Sequence, residues 1–378
     1  MKGNFKKPRI KVVGVGGGGC NFQEHMISVI GDALELDNFV SINTDQQSLQ
    51  SSKAPTKVQI GPNGLGAGAN PVVGREAAEY SIDEVRELFT NTDLVIIFCG
   101  LGGGTGSGAS PVIARVAKEE GALVLGLVTT PFNFEGAVRQ RIAQESIVEF
   151  RKNADVTVVI SNQLLFKITN QYTSFREAFK IIDNMCASFV ASILDIFGNN
   201  GLINVDFTDV ESTIQNKGVG LIGVGYANGD DAAVEAVMKA LCNPLLENVS
   251  MKTASNALVH IAGNDISLLE VEDIMKKIHN ELGEDVNIIY GMTIGDQNCF
   301  NHDAFIYSSG VYTKDPLHSE DSFSSKKWIR VMVIVTGLSS EETTYVENVN
   351  SSSATASPQQ QNKPQNDNIF SLLQKLRK

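Results

Sequence analysis

The chain has 378 residues, of which 42% are hydrophobic and 20% charged, and its formal net charge is -12. That length suggests about two domains, and that composition suits a soluble globular protein. The acidic balance argues against a nucleic-acid binder that works by neutralising phosphates, and fits self-association controlled by ions. Five cysteines, Cys20, Cys99, Cys186, Cys242 and Cys299, form no C-x-x-C pair. The pattern predicts reduced cytosolic thiols, with no disulfide framework and no zinc site.

The basic start Met1 to Pro8 is followed only by the short apolar run Ile10 to Val15, too short for a signal peptide. No segment has the ~20 apolar residues of a membrane span. Ile10 to Val15 reads as a first strand, then Gly16-Gly17-Gly18-Gly19-Cys20-Asn21, then a helix from about Phe22 to Leu34. Gly14, Gly16 and Gly19 satisfy Gly-x-Gly-x-x-Gly, so a Rossmann-type dinucleotide-binding oxidoreductase is one reading. Against it, the acidic ribose ligand should close the second strand, Phe39 to Ile42, and Asp45 comes a little late.

A second unit of the same kind follows. The apolar run Leu94 to Cys99 predicts a buried strand, and Ala109 onward a helix with Pro111 in its first turn. Between them lies Leu101-Gly102-Gly103-Gly104-Thr105-Gly106-Ser107-Gly108. Glycines let the backbone approach a ligand, and N–H groups at a helix start point at phosphate oxygens. Neither loop carries the Gly-Lys-Ser/Thr of a P-loop, so backbone N–H groups and Mg²⁺ are left to neutralise phosphate. Taken alone, the stretch Gly61 to Asn70 is a flexible linker.

Leu123 to Thr129 and Val156 to Ile160 are further buried strands. Strands alternating with helices predict an α/β fold with a mostly parallel sheet. Glu135 and Arg139 sit one helical turn apart, the spacing of an ordinary salt bridge. A long helix from Ser174 to about Phe197 is apolar on most faces, which places it between layers or domains. Asp183 and Asn184 are polar exceptions early in it, and a buried carboxylate needs partners. After a turn at Gly198 to Gly201 comes Asn204-x-Asp206-x-x-Asp209, which does not match an EF-hand. Strands and helices then alternate from Val219 to Leu338 as an α+β unit. There His260, His279, His302 and His318 share no metal-ligand spacing, so no metal site is assigned.

The two glycine loops, Asn43-Thr44-Asp45, Gly64 to Pro71, Pro131-Phe132-Asn133-Phe134-Glu135-Gly136 and the Asn204/Asp206/Asp209 set occur in an order that resembles the tubulin/FtsZ family. The resemblance covers about residues 9 to 338. It implies a tubulin-like GTPase domain, a long central helix and a smaller second α+β domain. The implied layout is an extension (1–9), a GTP-binding domain (10–173), the central helix (174–198) and the synergy loop with its connection (199–218). Then come a C-terminal domain (219–338) with an insertion at 295–327, a disordered linker (339–366) and a partner-binding peptide (367–378).

By the same resemblance, GTP or GDP is bound with Mg²⁺ by Gly17, Gly18, Gly19, Cys20, Asn21, Gly104, Thr105, Gly106, Glu135, Arg139, Asn162 and Asp183. The Gly61 to Asn70 loop lies by the γ-phosphate. Asp183 reads guanine, and Asn204, Asp206 and Asp209 act on the nucleotide of the next subunit. The implied protein is a cytoplasmic cell-division GTPase forming head-to-tail homopolymers at the division site. Its membrane link is an adaptor of the FtsA type that takes Ile369 to Lys378. A non-hydrolysing filament protein is the further alternative. The chain departs from the family at Cys20, Ala137, Val138 and Gln163, and its C-terminal peptide lacks the usual proline.

Overall fold

The computed structural model describes residues 7–30, 36–197, 201–242, 251–295 and 327–338. The expectations for the 295–327 insertion, the linker and the C-terminal peptide lie outside the described residues, apart from the insertion's two ends.

In chain order the elements begin with β1 (Ile10–Val15), α1 (Gly16–Ile30), β2 (Phe39–Asn43), α2 (Gln46–Ser51) and β3 (Thr56–Gln59). Next come α3 (Pro71–Tyr80), α4 (Ile82–Phe89), β4 (Leu94–Gly100), α5 (Thr105–Glu119), β5 (Leu123–Thr130) and α6 (Ala137–Asn153). After β6 (Val156–Ser161) and the short α7 (Leu165–Ile168) runs the 22-residue α8 (Phe175–Ile196). The remainder is β7 (Gly201–Ile203), α9 (Phe207–Ile214), β8 (Gly218–Asn228), α10 (Ala232–Leu241), β9 (Asn256–Gly263), α11 (Leu268–Leu282), β10 (Asn287–Ile294) and β11 (Trp328–Thr336).

One sheet of eleven strands runs β3-β2-β1-β4-β5-β6-β8-β11-β9-β10-β7. Its first six strands are all parallel. Apart from the edge strand β3, they are near-continuous apolar runs because helices cover both faces. β8 and β11 pair antiparallel, β9 and β10 parallel. The halves are joined by only two residue pairs of β6 with β8, Val156↔Gly218 and Thr157↔Val219.

The side-chain alternation of the first six strands builds two cores, and a third lies under α10 and α11 in the second half. Val13, Val15, Val95 and Ile97 face one side, with Ala109, Ile113 and Phe150 from the helices there. Val12, Ile96, Leu125 and Val158 face the other, against α8. The same core takes in Ile222 and Val224 of β8, Leu258 of β9 and Met332 and Ile334 of β11. α8 therefore packs on both halves, as its all-round apolar sequence requires. Its start is fixed by a capping box in which Ser174 and Glu177 exchange hydrogen bonds. Deep in it, the Ser188 and Ser192 hydroxyls donate to carbonyls four residues back.

Two expected helix starts are corrected. α1 begins at Gly16 rather than Phe22, and α5 at Thr105 rather than Ala109. In each case the glycines are themselves the first helical turn. Pro111 consequently sits inside α5, not in its first turn. Glu135 and Arg139 do not share a helix either. Glu135 ends a one-turn helix, Gly136 breaks the chain at φ 97°, and Arg139 lies in the first turn of α6. The sheet is mostly parallel, as expected, and its three antiparallel pairings all lie in the second half.

Candidate functional site

The strand order reverses between β1 and β4, and ligands of open α/β sheets bind beyond the carboxyl ends of the strands at such a point. Both glycine loops emerge there. Gly16, at φ 71°, passes so close to the second loop that a Cβ on it would lie 2.9 Å from the Gly106 amide nitrogen. Gly17 and Gly103, by contrast, face open space. No side chain caps the start of α5. Two helix starts thus stand side by side with free N–H groups and room above them, the geometry of a polyphosphate cradle.

The loop from Gly61 to Asn70 closes one flank. Its glycines 61, 64, 66 and 68 and Ala69 all have positive φ. Asn70 caps α3 by accepting from the Val72 N–H, and a Cβ on Gly104 would meet Ala67 at 2.7 Å. The Thr44 and Thr105 hydroxyls meet at 2.6 Å, tying the end of β2 to the first turn of α5. Glu135 accepts from Arg139 at 2.6 Å and from the Phe132 N–H. This pair sits beside the second loop, since a Cβ on Gly102 would lie 3.1 Å from the Arg139 carbonyl oxygen.

From the first loop a cavity of about 930 Å³ runs along α1 to α8. Gly18, Gly19, Asn21, Asn162 and Asp183 all line it. Asn162 is buried, and its Oδ1 has no hydrogen-bond partner, an acceptor left for a ligand. Burial pushes the Asp183 carboxyl up to about 7. A carboxylate so placed gains most from a ligand that brings N–H donors. Phe179 lines the wall one turn before it.

Sequence reasoning missed several wall residues. His25 lines the cavity and bonds through Nε2 to Asn184 Oδ1 at 2.6 Å. Its spacing of four from Asn21 on α1 was the available signal. Lys53, Arg176 and Lys180 line the same cavity. Gln163 does not reach it, and instead accepts from the Asn133 N–H.

Two expectations change. Cys20 does not project among the phosphates: its thiol is buried against the Gly14 and Ile42 carbonyls, and burial raises it to about 11. Only its backbone remains for a ligand. Asp45, the acidic residue a dinucleotide site would need, caps α2 by accepting from the Gln47 and Ser48 N–H groups. The oxidoreductase reading loses its ribose partner.

Asn204, Asp206 and Asp209 lie elsewhere. All three are exposed, and none lines the cavity. Asp206 starts α9 without capping it by its side chain, and Asp209 is in the first turn. α9 leads to Asn216 and Gly218, which hydrogen-bond to Asp155 at the entrance of β6. That is the amino end of the parallel strands, opposite the glycine loops.

Residues 9–170 match the Tubulin/FtsZ family, GTPase domain, and residues 218–301 the FtsZ family, C-terminal domain. A Wolbachia sp protein named Cell division protein FtsZ is 44% identical over 302 residues, 76% of this chain and 75% of that one. The chain belongs to the FtsZ family.

A second FtsZ relative, from Rhizobium radiobacter, is 44% identical over 294 residues, and the match spans 77% of this chain but only 50% of that protein. This chain therefore spans about half the length of that relative. An empty FtsZ dimer from M. jannaschii superposes with a TM-score of 0.73 at 35% identity, over 88% of this chain and 89% of that chain. CetZ2 from Haloferax volcanii, solved as a GTPγS-bound protofilament, has a TM-score of 0.69 at 21% identity over 91% of this chain and 98% of that one. It shows the shared fold.

Proposed function

We propose that the chain is a GTP-dependent self-assembling GTPase of cell division. The observation that carries the reading is the cavity, which runs from the start of α1 to the half-buried Asp183 carboxyl, with the uncapped start of α5 beside the first loop. Gly17 to Asn21 and Gly104 to Gly106 hold the phosphates through N–H groups. Glu135 and Arg139 hold the ribose side. Asn162 accepts a hydrogen bond through its free Oδ1. Asp183 accepts from guanine N1–H and N2–H, an arrangement that rejects adenine, whose matching edge lacks those donors.

Mg²⁺ fits as a companion of the phosphates. Among the described residues no three His, Cys, Asp or Glu side chains converge as a metal site. The hydroxyls of Thr44 and Thr105 at the start of α5 are oxygen ligands of the type this ion takes, alongside phosphate and water. Bound there, the ion would neutralise phosphate charge.

Hydrolysis needs a second copy. The exposed carboxylates of Asp206 and Asp209 lie outside the cavity, at the start of the helix that runs to the amino end of the parallel strands, so they serve the nucleotide of the next subunit. There they orient and polarise the attacking water, and Asn204 helps place it. A contact between opposite ends is heterologous and does not close, so it yields filaments. A relative supports the assembly: the M. jannaschii FtsZ structure is a dimer. Filaments would sit at the division site on the cytoplasmic face of the membrane. Among the described residues no helix is long and apolar enough to cross a membrane. Ile369, Leu372, Leu373 and Leu376, outside the described residues, share one face of a helical reading and suit the groove of an FtsA-type adaptor.

The test is GTP turnover per subunit against protein concentration, with pelleting in GTP and in GDP. Turnover near zero at low concentration that rises above a threshold, with pelleting in GTP alone, is expected. Turnover per subunit independent of concentration would defeat the shared site. Binding of GTP with polymer but no phosphate release would favour the non-hydrolysing filament.

A further inference from the structure

Asp155 is a carboxylate with 2% of its side chain exposed, far from the cavity. It sits at the turn into β6, and both its carboxylate oxygens and its backbone carbonyl are engaged. Oδ2 accepts the Val124 N–H at 2.8 Å, fixing the start of β5. Oδ1 accepts the Asn216 N–H at 3.2 Å and faces Lys118 Nζ at 2.8 Å. Its backbone carbonyl accepts the Gly218 N–H at 2.8 Å. Lys118 donates also to Asn216 Oδ1 at 2.7 Å. Asn216 is held at φ 54°, a left-handed conformation that asparagine tolerates better than most residues.

Burying a carboxylate is costly unless it is paired and hydrogen-bonded, and this one is both. What it fastens is the turn that ends α9. That helix has eight residues, so it is about 12 Å long and stiff. Its buried face is Val210, Thr213 and Ile214, and the Thr336 hydroxyl of β11 donates to the Thr213 carbonyl. Asp209 stands in its first turn with an exposed side chain. Fixing the far end of so short a rod fixes the direction of the carboxylate at the near end.

We propose that Asp155, Lys118 and Asn216 form a clamp that positions Asp206 and Asp209 for the neighbouring subunit's nucleotide. The clamp touches no reacting atom, so its members are positioning residues. It rests on the intersubunit reading given above. It has a second consequence, because Lys118 ends the same α5 whose first turn, Thr105 and Gly106, borders the phosphate cradle. One helix of about 22 Å spans from the phosphate cradle to the turn that anchors α9.

The test uses Lys118→Met and Asp155→Asn in the full chain, with Lys118→Arg as the conservative exchange and Asp209→Ala as reference. Lys118 is partly exposed, so its variant keeps the test alive should Asp155→Asn not fold. Misplacing a catalytic group by about an ångström can cost two orders of magnitude. Lys118→Met is therefore expected to lose about tenfold or more in turnover at saturating GTP. KM, GDP affinity and the fraction pelleted should stay at wild-type values, and Lys118→Arg should restore turnover.

Mixing gives a readout that a general loss of stability would not move. Lys118→Met and Asp209→Ala should both be poor donors, so their mixed filaments should hydrolyse no faster than the faster of the two alone. Recovery in the mixture would place the Lys118 defect in its own nucleotide site and overturn the clamp. Wild-type turnover by both Lys118→Met and Asp155→Asn would overturn it too. Should Asp209→Ala itself keep wild-type turnover, the intersubunit reading fails; with Asp209→Ala slow and Lys118→Met fast, only the clamp fails.

Discussion

The two ends of the parallel half differ in kind. At the carboxyl end the chain is crowded: glycines touch backbone, Asn162 is buried and Asp183 half-buried, and the donors are fixed N–H groups. One short helix, α9, away from the amino end, Asp206 and Asp209 stand in solvent. The first arrangement is prepared for a ligand within the chain. The second presents charged groups with nothing inside the chain to act on. Preorganisation on one side and exposure on the other are what two halves of a site look like when they belong to different subunits.

The hardest blow to that contrast is Asp209→Ala. Under the proposed mechanism it lowers turnover by about 100-fold or more while GDP binding is kept, measured by phosphate release and nucleotide titration. Asp183→Ala should act at the opposite end only. Losing a charged hydrogen-bond acceptor costs roughly 1.5–3 kcal/mol, so GDP affinity should fall about tenfold to a hundredfold, with the preference over ADP reduced alike.

A pH titration sharpens the same point. The free carboxyl of Asp183 titrates at about 7, and donors from a base favour its ionised form. GDP affinity should therefore be flat above about pH 8 and fall toward tenfold per unit below 7. His25, Glu24, Lys53, Arg176 and Lys180 also face this cavity, so Asp183→Asn is the control, and its affinity should lose most of that slope. The linkage to folding has the opposite sign to that of an ordinary paired carboxylate. A carboxyl raised from 3.8 holds its proton better folded than unfolded. Its contribution to stability is thus present at low pH and lost as pH rises toward 7 and beyond. Thermal melts of the free protein and of Asp183→Asn should diverge across that interval.

The glycines offer a smaller and finer comparison. A Cβ on Gly19 would lie 2.3 Å from the Phe98 carbonyl oxygen, whereas Gly17 faces open space. Gly19→Ala should lower stability by about 1–3 kcal/mol. Gly17→Ala should leave the melting temperature near wild type and weaken GDP binding, because its methyl group stands where phosphate would. The smallest effect belongs to Cys20→Ala. With the thiol turned toward β1 and β2, GDP affinity should be unchanged.

Much of this was legible in the sequence because it was written in continuous apolar runs. β1, β4, β5 and β6 each fall within a residue or two of Ile10 to Val15, Leu94 to Cys99, Leu123 to Thr129 and Val156 to Ile160. α8 was legible from its apolar faces and its Ser174 cap. What failed has a common cause. The starts of α1 and α5 are glycines, which carry no helical preference and became helical because the strands before them and the packing beside them fix their path. β9 escaped notice because His260 interrupts an otherwise apolar run, and its ring is buried with Nε2 bonded to the Thr293 hydroxyl. The site motifs were legible as a pattern, whereas the direction of the Cys20 thiol and the capping role of Asp45 depend on neighbours distant in sequence.

The seam between β6 and β8 deserves a mechanical reading. Eight of the ten strand-to-strand joints of this sheet are broader; this one, like the β10–β7 pairing at the far edge, is two rungs wide, Val156↔Gly218 and Thr157↔Val219. A plate narrowed to a neck has its compliance there, and load passed between its two halves is carried mostly by whatever lies across the gap. Here that is α8, a keel packed on both sides through Ile182, Phe189 and Ile193. A pull along a filament would reach the nucleotide end of each subunit through the keel, and the neck would be the first place to yield.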